Sequence, residues 1–407
     1  MTAREFDVVL FGASGFTGGL VAEYLAVSAP EGLKVALAGR DEAALARRRG
    51  ELPGMARQWP VLPADAGDVD TLERLAGSSR LVLTTVGPYA RLGMPLVQAC
   101  VQAGTDYVDL SGEIPFLRAC IERFQGEAEQ RGIRLVQTCG IVAAMVDLAV
   151  WDLARHAADA GSGELTDVIG LYPGGVGQRS GGTSASTLEE LAAVRDNPER
   201  RRLTRDPYVL SPDRAGEPDL GPQRDRTGFD YDPELGTWLG PFWYGLLQTR
   251  VVRRTNALLG YGYGREFRYQ EATDLGNGPH ALLGRLRTLR QIGWVPLMLN
   301  PRTGRLVEAI MRRTARPAGT GPDENRQVAL AGTIVAHTSS GAIHREHVQA
   351  HLGAYHATAV IMVQMALALL YDRDHLPDRH GFLTPAAAGD GAFLDRLRRA
   401  GFEFRAE

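Results

Sequence analysis

The sequence predicts an α/β protein: a doubly wound parallel sheet, with an α+β domain of mixed or antiparallel sheet inserted into it. Three observations carry this. Short apolar runs alternate with helical patterns from Phe6 to Thr138, a glycine-rich turn joins the first run to the first helix, and the alternation breaks after Gly140.

FDVVLF at 6–11 is short, β-branched and stopped by glycine, as a strand buried on both faces should be. GASGFTG at 12–18 is a tight loop, and Leu20, Val21, Tyr24 and Leu25 then share one helical face. KVALA at 34–38 is a second strand, closed by Gly39 and Arg40; Asp41 is the expected N-cap of a helix reaching about Arg49. Further strands are expected at 61–64, 81–86, 107–110 and 134–138, and helices at 69–76, 94–103 and 114–131. Right-handed crossovers would place a ligand along the carboxyl ends of these strands.

After Gly140, residues 167–172, 265–272 and 328–337 alternate like strands of an antiparallel or mixed sheet, and 196–240 is rich in Pro, Gly, Arg and Asp and reads as an irregular excursion. From about Gly353 the chain is helical again, with Thr384-Pro385 opening a last helix. The expected division is residues 1–140 as one domain and 141–352 as a second domain inserted before the helical tail.

Length and composition agree with two domains. The 407 residues are 44% hydrophobic and 23% charged, with a formal net charge of −3. No basic stripe is interleaved with aromatics, which excludes a nucleic-acid partner. Cys100, Cys120 and Cys139 have neither redox nor zinc spacing and suit a reducing cytoplasm. The longest apolar stretch, Ala357 to Tyr371, is interrupted by Gln364 and falls short of the roughly 20 residues of a bilayer span, so it reads as a buried helix and no transmembrane segment is expected. Lys34 is the only lysine, and no Tyr-x-x-x-Lys pair exists, which disfavours short-chain dehydrogenase chemistry.

The glycine loop is a Rossmann-type dinucleotide signature in its required strand–loop–helix context. Gly12 permits the turn, Gly15 the approach of a diphosphate, and Gly18 close helix–strand packing. Ser14 and Thr17 offer hydroxyls, and Phe16 belongs to the same loop. N–H groups at the helix start favour the anion. The second strand ends Ala38-Gly39-Arg40 where an NAD site usually has a carboxylate, and a guanidinium there grips a 2′-phosphate. The expected cofactor is therefore NADP(H). Asp65, after the third strand, is either a partner of the adenine amino group or a solvated loop acid. Val86, Gly87 and Pro88, at the end of the fourth strand, are expected along the nicotinamide ribose.

Tyr89 is the first candidate proton donor; the alternative is a packing tyrosine. Asp109 and Glu113 either orient groups in the cleft or cap the next helix. Ser180, Gly181 and Thr183 precede a helix whose N–H groups either hold a substrate oxygen or are simply capped. Trp238, Phe242, Trp243, Tyr244, Tyr261 and Tyr263 either wall a hydrophobic channel, with Tyr244 touching substrate, or form the small domain's core. His344, His347 and His351 would share a face if helical, with His356 nearby, but no acidic partner has ligand spacing and no metal is expected.

GASGFTG (12–18), LAGR (37–40), VGPY (86–89), GTDYVDLSGE (104–113), SGGTSAS (180–186) and LTPAAA (383–388) together resemble the saccharopine dehydrogenase-like oxidoreductases, and among them the bacterial trans-acting enoyl reductases of polyketide and lipid assembly. The resemblance implies an NADPH-dependent reductase of a C=C bond in a hydrophobic intermediate, free or carrier-bound. It also implies that residues 1–140 are completed by C-terminal helices in 353–407, with 141–352 inserted as a domain for substrate binding and, in a homodimer, subunit contact. Imine or ketone reduction, or a non-redox NADP(H)-binding cyclase or isomerase, are the alternatives. Two segments depart from the family pattern. Cys139-Gly140 continues as IVAAMVD instead of a polar FDSxPSD-like stretch, and LGAYHATAV at 352–360 replaces a GDPGYxATAxM-like one. Both are expected near the active site, with Cys139 toward the cofactor and His356 toward the substrate.

Overall fold

The computed structural model describes residues 4–174, 179–317, 319–322 and 330–407. The chain begins β1 (Phe6–Phe11), α1 (Phe16–Ser28), β2 (Val35–Gly39), α2 (Glu42–Glu51), β3 (Val61–Pro63), α3 (Val69–Ser78), β4 (Ser79–Thr84), α4 (Tyr89–Ala103), β5 (Asp106–Val108), α5 (Ile114–Gln130) and β6 (Arg134–Val136). It continues α6 (Ile141–Asp159), β7 (Leu165–Pro173), α7 (Gly181–Asp196), α8 (Pro198–Arg205), β8 (Asp230–Asp232), β9 (Thr237–Gly240), α9 (Gly245–Leu258), β10 (Arg268–Gly276), α10 (Gly278–Ile292), α11 (Trp294–Leu299), α12 (Gly304–Thr314), β11 (Ala331–Thr338) and β12 (Ile343–Ala350). The tail is α13 (Ala354–Tyr371), β13 (Gly381–Leu383), α14 (Pro385–Arg399) and β14 (Phe402–Ala406).

Two seven-stranded sheets result. The first is wholly parallel, in the order β3-β2-β1-β4-β5-β6-β13. Val8, Val9, Leu10 and Phe11 are all buried, because helices cover both faces. The second sheet, β14-β12-β11-β7-β10-β9-β8, is mixed: β7 and β10 run parallel and the other neighbours antiparallel.

The structure differs from the expected elements in four instructive places. Helix α6 follows Gly140 directly; it is apolar nearly all round, so it shows no period, and it is buried. Helix α4 starts at Tyr89 rather than Met94, because Glu113 accepts the N–H groups of Tyr89 and Ala90 and so caps the extra turn. The excursion 196–240 contains α8, capped by Asn197 Oδ1 accepting from Glu199 N at 2.9 Å, and the hairpin β8–β9. The tail is not helices alone: β13 extends the first sheet, and β14 crosses to pair with β12 at the edge of the second. Of the strand expected at 328–337, residues 328–329 lie outside the described residues.

Helix α13 is long and apolar enough to span a bilayer, but 72% of it is buried here, against α1, α6 and α14. Its Gln364 Nε2 donates to Tyr24 Oη on α1 at 2.9 Å.

Buried polar groups fasten the two sheets together. Asp147 on α6 is wholly buried; it accepts from Thr255 Oγ1 on α9 and from Ala386 N, at 2.8 Å, in the first turn of α14. Thr255 Oγ1 also meets Thr384 Oγ1, the cap of α14, at 2.6 Å. Burial raises the Asp147 carboxyl to about 7, opposed by the bonds from Thr255, Ala386 and Thr384. The Arg254 guanidinium on α9 donates to Leu210 O and, at 2.6 Å, to Phe382 O in β13.

Asp147→Ala should cost about 3 kcal/mol in urea unfolding, because a buried N–H and a hydroxyl lose their acceptor. The folded state holds the Asp147 proton more tightly than the unfolded chain does. This group's contribution therefore falls as pH rises from the ordinary carboxylate range to about 7 and is flat above. Asp147→Asn does not titrate, so the stability gap between wild type and this variant should narrow across that window.

Candidate cofactor and substrate cleft

A continuous cleft of about 1880 Å³ runs along the carboxyl edge of the first sheet and under the second. Its walls come from the β1–α1 loop, the ends of β2 and β4, residues 110–114, α7, residues 241–247, the α10–α11 junction and the first turn of α13.

At the nucleotide end, Gly12 has φ +98°, and its N–H donates to Ala38 O at 2.8 Å. A Cβ on Gly18 would stand 2.0 Å from Gly12 O, so only glycine lets α1 lie this close. Helix α1 opens at Gly15 with no side-chain cap, which leaves its first N–H groups free for a diphosphate. Ser14, Gly15, Phe16, Thr17, Gly18, Gly39, Arg40 and Asp65 line the same wall. Arg40 is exposed and forms no ion pair among the described residues, whereas Asp41 is occupied as the cap of α2, accepting from Ala44 N at 2.9 Å. Asp65 accepts from Gly67 N at 2.8 Å and remains exposed at the rim. These residues fit an NADP(H) diphosphate and 2′-phosphate.

Val86, Gly87, Pro88 and Tyr89 all line the cleft, but the Tyr89 hydroxyl is already engaged within the protein. The Tyr89 side chain is buried beneath the added turn of α4, its hydroxyl donates to Thr84 O at 3.1 Å, and its ring packs 5.7 Å from Phe116. Burial, with Asp109 and Glu113 nearby, raises its hydroxyl well above the ordinary tyrosine range. Asp109 is a buried organiser of the β5 end. It accepts from Ser111 N and Oγ at 2.9 and 2.7 Å, Tyr107 Oη at 2.9 Å and Thr138 N at 3.1 Å. Burial still lifts it to about 6.

Helix α7 roofs this region. Ser180 and Thr183 line the cleft, and Ser180 caps α7, its Oγ accepting from Thr183 N at 3.2 Å. Ser180 N donates to Tyr355 Oη at 2.6 Å, and Thr183 Oγ1 meets that hydroxyl at 3.2 Å. Gly181 is turned away: its N–H donates to Thr320 O at 3.0 Å, and a Cβ would strike Pro317 O. One turn on, Ser186 stands over Gly87, and Glu190 accepts from Ile114 N. Burial, then the neighbouring Glu113, raises Glu190 to about 8. Just before α7, Arg179 lies 4.1 Å from the Trp243 ring centre and hydrogen-bonds Tyr244; burial lowers its pKa, and it pairs with no carboxylate among the described residues. Tyr244 does line the cleft, with Trp243, Phe242 and Leu246.

Two other expected contacts fall elsewhere. Cys139 is fully buried with its N–H on Asp109 O, and Thr138, Gly140 and Ile141 form the wall beside it. His356 lies on the far side of α13 from Ala354, Tyr355 and Thr358, the residues that reach the cleft. The other histidines are not on one helical face: His344 and His347 lie in β12, bonded to Ser162 and Thr333, and His351 follows it, bonded to Glu403. Glu190, Arg179 and Tyr355 were not singled out by spacing. The available signal was the stripe Thr183, Ser186, Thr187, Glu190, Val194, which puts polar side chains on one face of a covered helix.

A parallel sheet in the order 3-2-1-4-5-6, an uncapped helix at a glycine loop and Arg40 at the second strand define an NADP(H)-binding oxidoreductase fold. Comparison with known proteins narrows the class. Residues 8–162 match the saccharopine dehydrogenase NADP binding domain. The trans-acting enoyl reductase of Mycobacterium bovis (strain BCG / Pasteur 1173P2) is 43% identical over 407 residues, covering 98% of this chain and 97% of that one. That of Mycobacterium leprae (strain TN) is 41% identical over 406 residues, with the same coverage. Apo saccharopine dehydrogenase (L-Glu forming) from Saccharomyces cerevisiae shares the fold, with a TM-score of 0.56 at 15% identity and 99% coverage of both chains. The chain belongs to the saccharopine dehydrogenase-like oxidoreductases, in the group of the trans-acting enoyl reductases, and is an NADP-dependent enzyme.

Arg40→Ala should weaken NADPH binding by about ten- to a hundredfold while changing NADH affinity little, as read by quenching of nicotinamide fluorescence. Tyr89→Phe should keep kcat within about threefold; a tyrosine acting as proton donor would lose about 10²-fold or more.

Proposed function

We propose that this enzyme uses NADPH to reduce a conjugated C=C bond in a hydrophobic acyl substrate of the polyketide or lipid type. The observation that carries this is the size and lining of the whole cleft. It is about 1880 Å³, larger than the roughly 300–1,000 Å³ of ordinary ligand pockets, and so has room for a nucleotide and an extended acyl chain together. Its lining includes the apolar side chains Ile141, Val142, Ala143, Leu246, Ile292, Val295 and Leu299, alongside charged ones such as Glu189, Arg201 and Arg224. The names of the mycobacterial relatives favour enoyl reduction over the other bonds an NADP-dependent enzyme reduces.

When bound, NADPH supplies the hydride, which adds to the carbon β to the acyl carbonyl. Arg179, oriented by Trp243 and Tyr244, faces the oxygen on which negative charge develops, in a setting where burial strengthens the attraction. Glu190, protonated at neutral pH, delivers the proton to the α-carbon and regains one from solvent. Glu113 positions the ends of β4 and β5 through the Tyr89 and Ala90 N–H groups. Ser180 and Thr183 hold Tyr355 at the cleft wall rather than touching the acyl chain.

With a medium-chain enoyl thioester and 4-deuterated NADPH, label should appear on the β-carbon. Label on a carbon bearing O or N would favour imine or ketone reduction, and NADPH left unconsumed would end the redox reading. Glu190→Gln should lower kcat by about 10²-fold without changing NADPH affinity. A required acid acts below its pKa, so wild-type kcat should fall as pH rises through about 8, and this limb should vanish in E190Q.

A further inference from the structure

Helices α10–α12 are unlike the rest of the surface. Of the fifteen exposed large hydrophobic residues among the described residues, seven lie between 282 and 310, and all seven are leucine or isoleucine. On α10, Leu282, Leu286 and Leu289 follow i, i+4, i+7 and form one stripe, 62, 57 and 51% exposed. Leu297 on α11 and Leu306 and Ile310 on α12 are 52, 67 and 54% exposed. Helix α11 packs against both α10 and α12, and exposed apolar side chains gathered in this way mark an interaction site.

The charge is equally one-sided. Residues 278–316 hold eight arginines and one acidic residue, Glu308, in a chain whose net charge is −3. Among the described residues Arg287, Arg290, Arg302, Arg305 and Arg313 are exposed and form no ion pair, while Glu308 is already shared by Arg195 and Arg312. Leu289 is both an exposed member of the stripe and a lining residue of the cleft, so the patch is continuous with the cleft mouth.

We propose that α10–α12 dock this enzyme on an anionic phospholipid bilayer, so that an apolar substrate enters the cleft at Leu289 without crossing water. Complementary charge selects an anionic surface. The side chains select lipid over a folded partner: protein interfaces are anchored by aromatics in fitted pockets, whereas exposed leucines flanked by long arginines suit a fluid acyl layer, with guanidinium groups reaching the headgroups. The inference rests on the proposed function only for the apolar nature of the cargo.

The test is co-sedimentation of the full-length, NADPH-loaded protein with vesicles of phosphatidylcholine alone or doped with phosphatidylglycerol. Binding to the anionic vesicles should be at least about tenfold stronger and should fall with added salt. Leu282→Ser/Leu286→Ser/Leu306→Ser/Ile310→Ser should abolish it. Arg287→Glu/Arg290→Glu/Arg313→Glu should abolish the preference for anionic lipid. Both variants should bind NADPH and reduce a soluble short-chain substrate like wild type, which separates failure of docking from failure of the catalytic reading. Absence of vesicle binding, equal binding to both lipids, binding indifferent to both sets of substitutions, or light scattering that shows a dimer split by the serine substitutions would each overturn the proposal.

Discussion

Helix α1 reaches the end of β1 only because Gly18 has no side chain to meet the carbonyl of Gly12. That close approach governs the shape of the cleft. It aims the uncapped start of α1 into the cleft and sets Phe16 5.3 Å from Tyr355, in edge contact with the first turn of α13. A Cβ on Gly321 would strike the Phe16 ring, so the loop 319–322 closes on the same side chain. The nucleotide wall and the substrate wall therefore meet at the glycine loop.

Three buried carboxylates in this protein serve as fasteners. Asp109 gathers the ends of β5 and β6, Glu113 caps α4, and Asp147 ties α6 to α9 and α14. Each has its oxygens taken by N–H and O–H donors, which is what makes burial of the charge tolerable. Glu190 and Arg179 differ. Both border the cleft, and among the described residues neither forms an ion pair. An underpaired acid and an underpaired cation in one cleft are what the proposed proton transfer and oxyanion stabilisation would require.

Local chemistry was legible wherever a residue's role depends on its chain neighbours. Gly12, Gly15 and Gly18 act within one loop, Asp41 caps a helix three residues on, and Arg40 ends the strand that carries it. Roles that depend on distant chain were not. Tyr89 reads as a proton donor at the end of a strand, yet Glu113, far along the chain, adds a turn to α4 there, and the Tyr89 hydroxyl is spent on Thr84 O. The spacing of His344, His347 and His351 suggests one face only if helical; pairing of β12 with β11 and β14 makes it a strand and separates them. Helix α6 gave no period because every face of it is covered.

The sequence by itself determined the α/β class, the doubly wound order of the first half, the dinucleotide loop and the preference for a 2′-phosphate, because each follows from hydrophobic period, glycine geometry or charge within a few residues. Only the tertiary structure decided which side chains line the cleft and which are spent inside the protein. It buried Tyr89 and Cys139, turned Gly181 and His356 away, sent β14 to the second sheet, and brought Glu190 of α7 beside Ile114 of α5. The physical reason is that burial and partnership are properties of packing between distant segments, and those are what set whether a polar side chain becomes a fastener or a reagent.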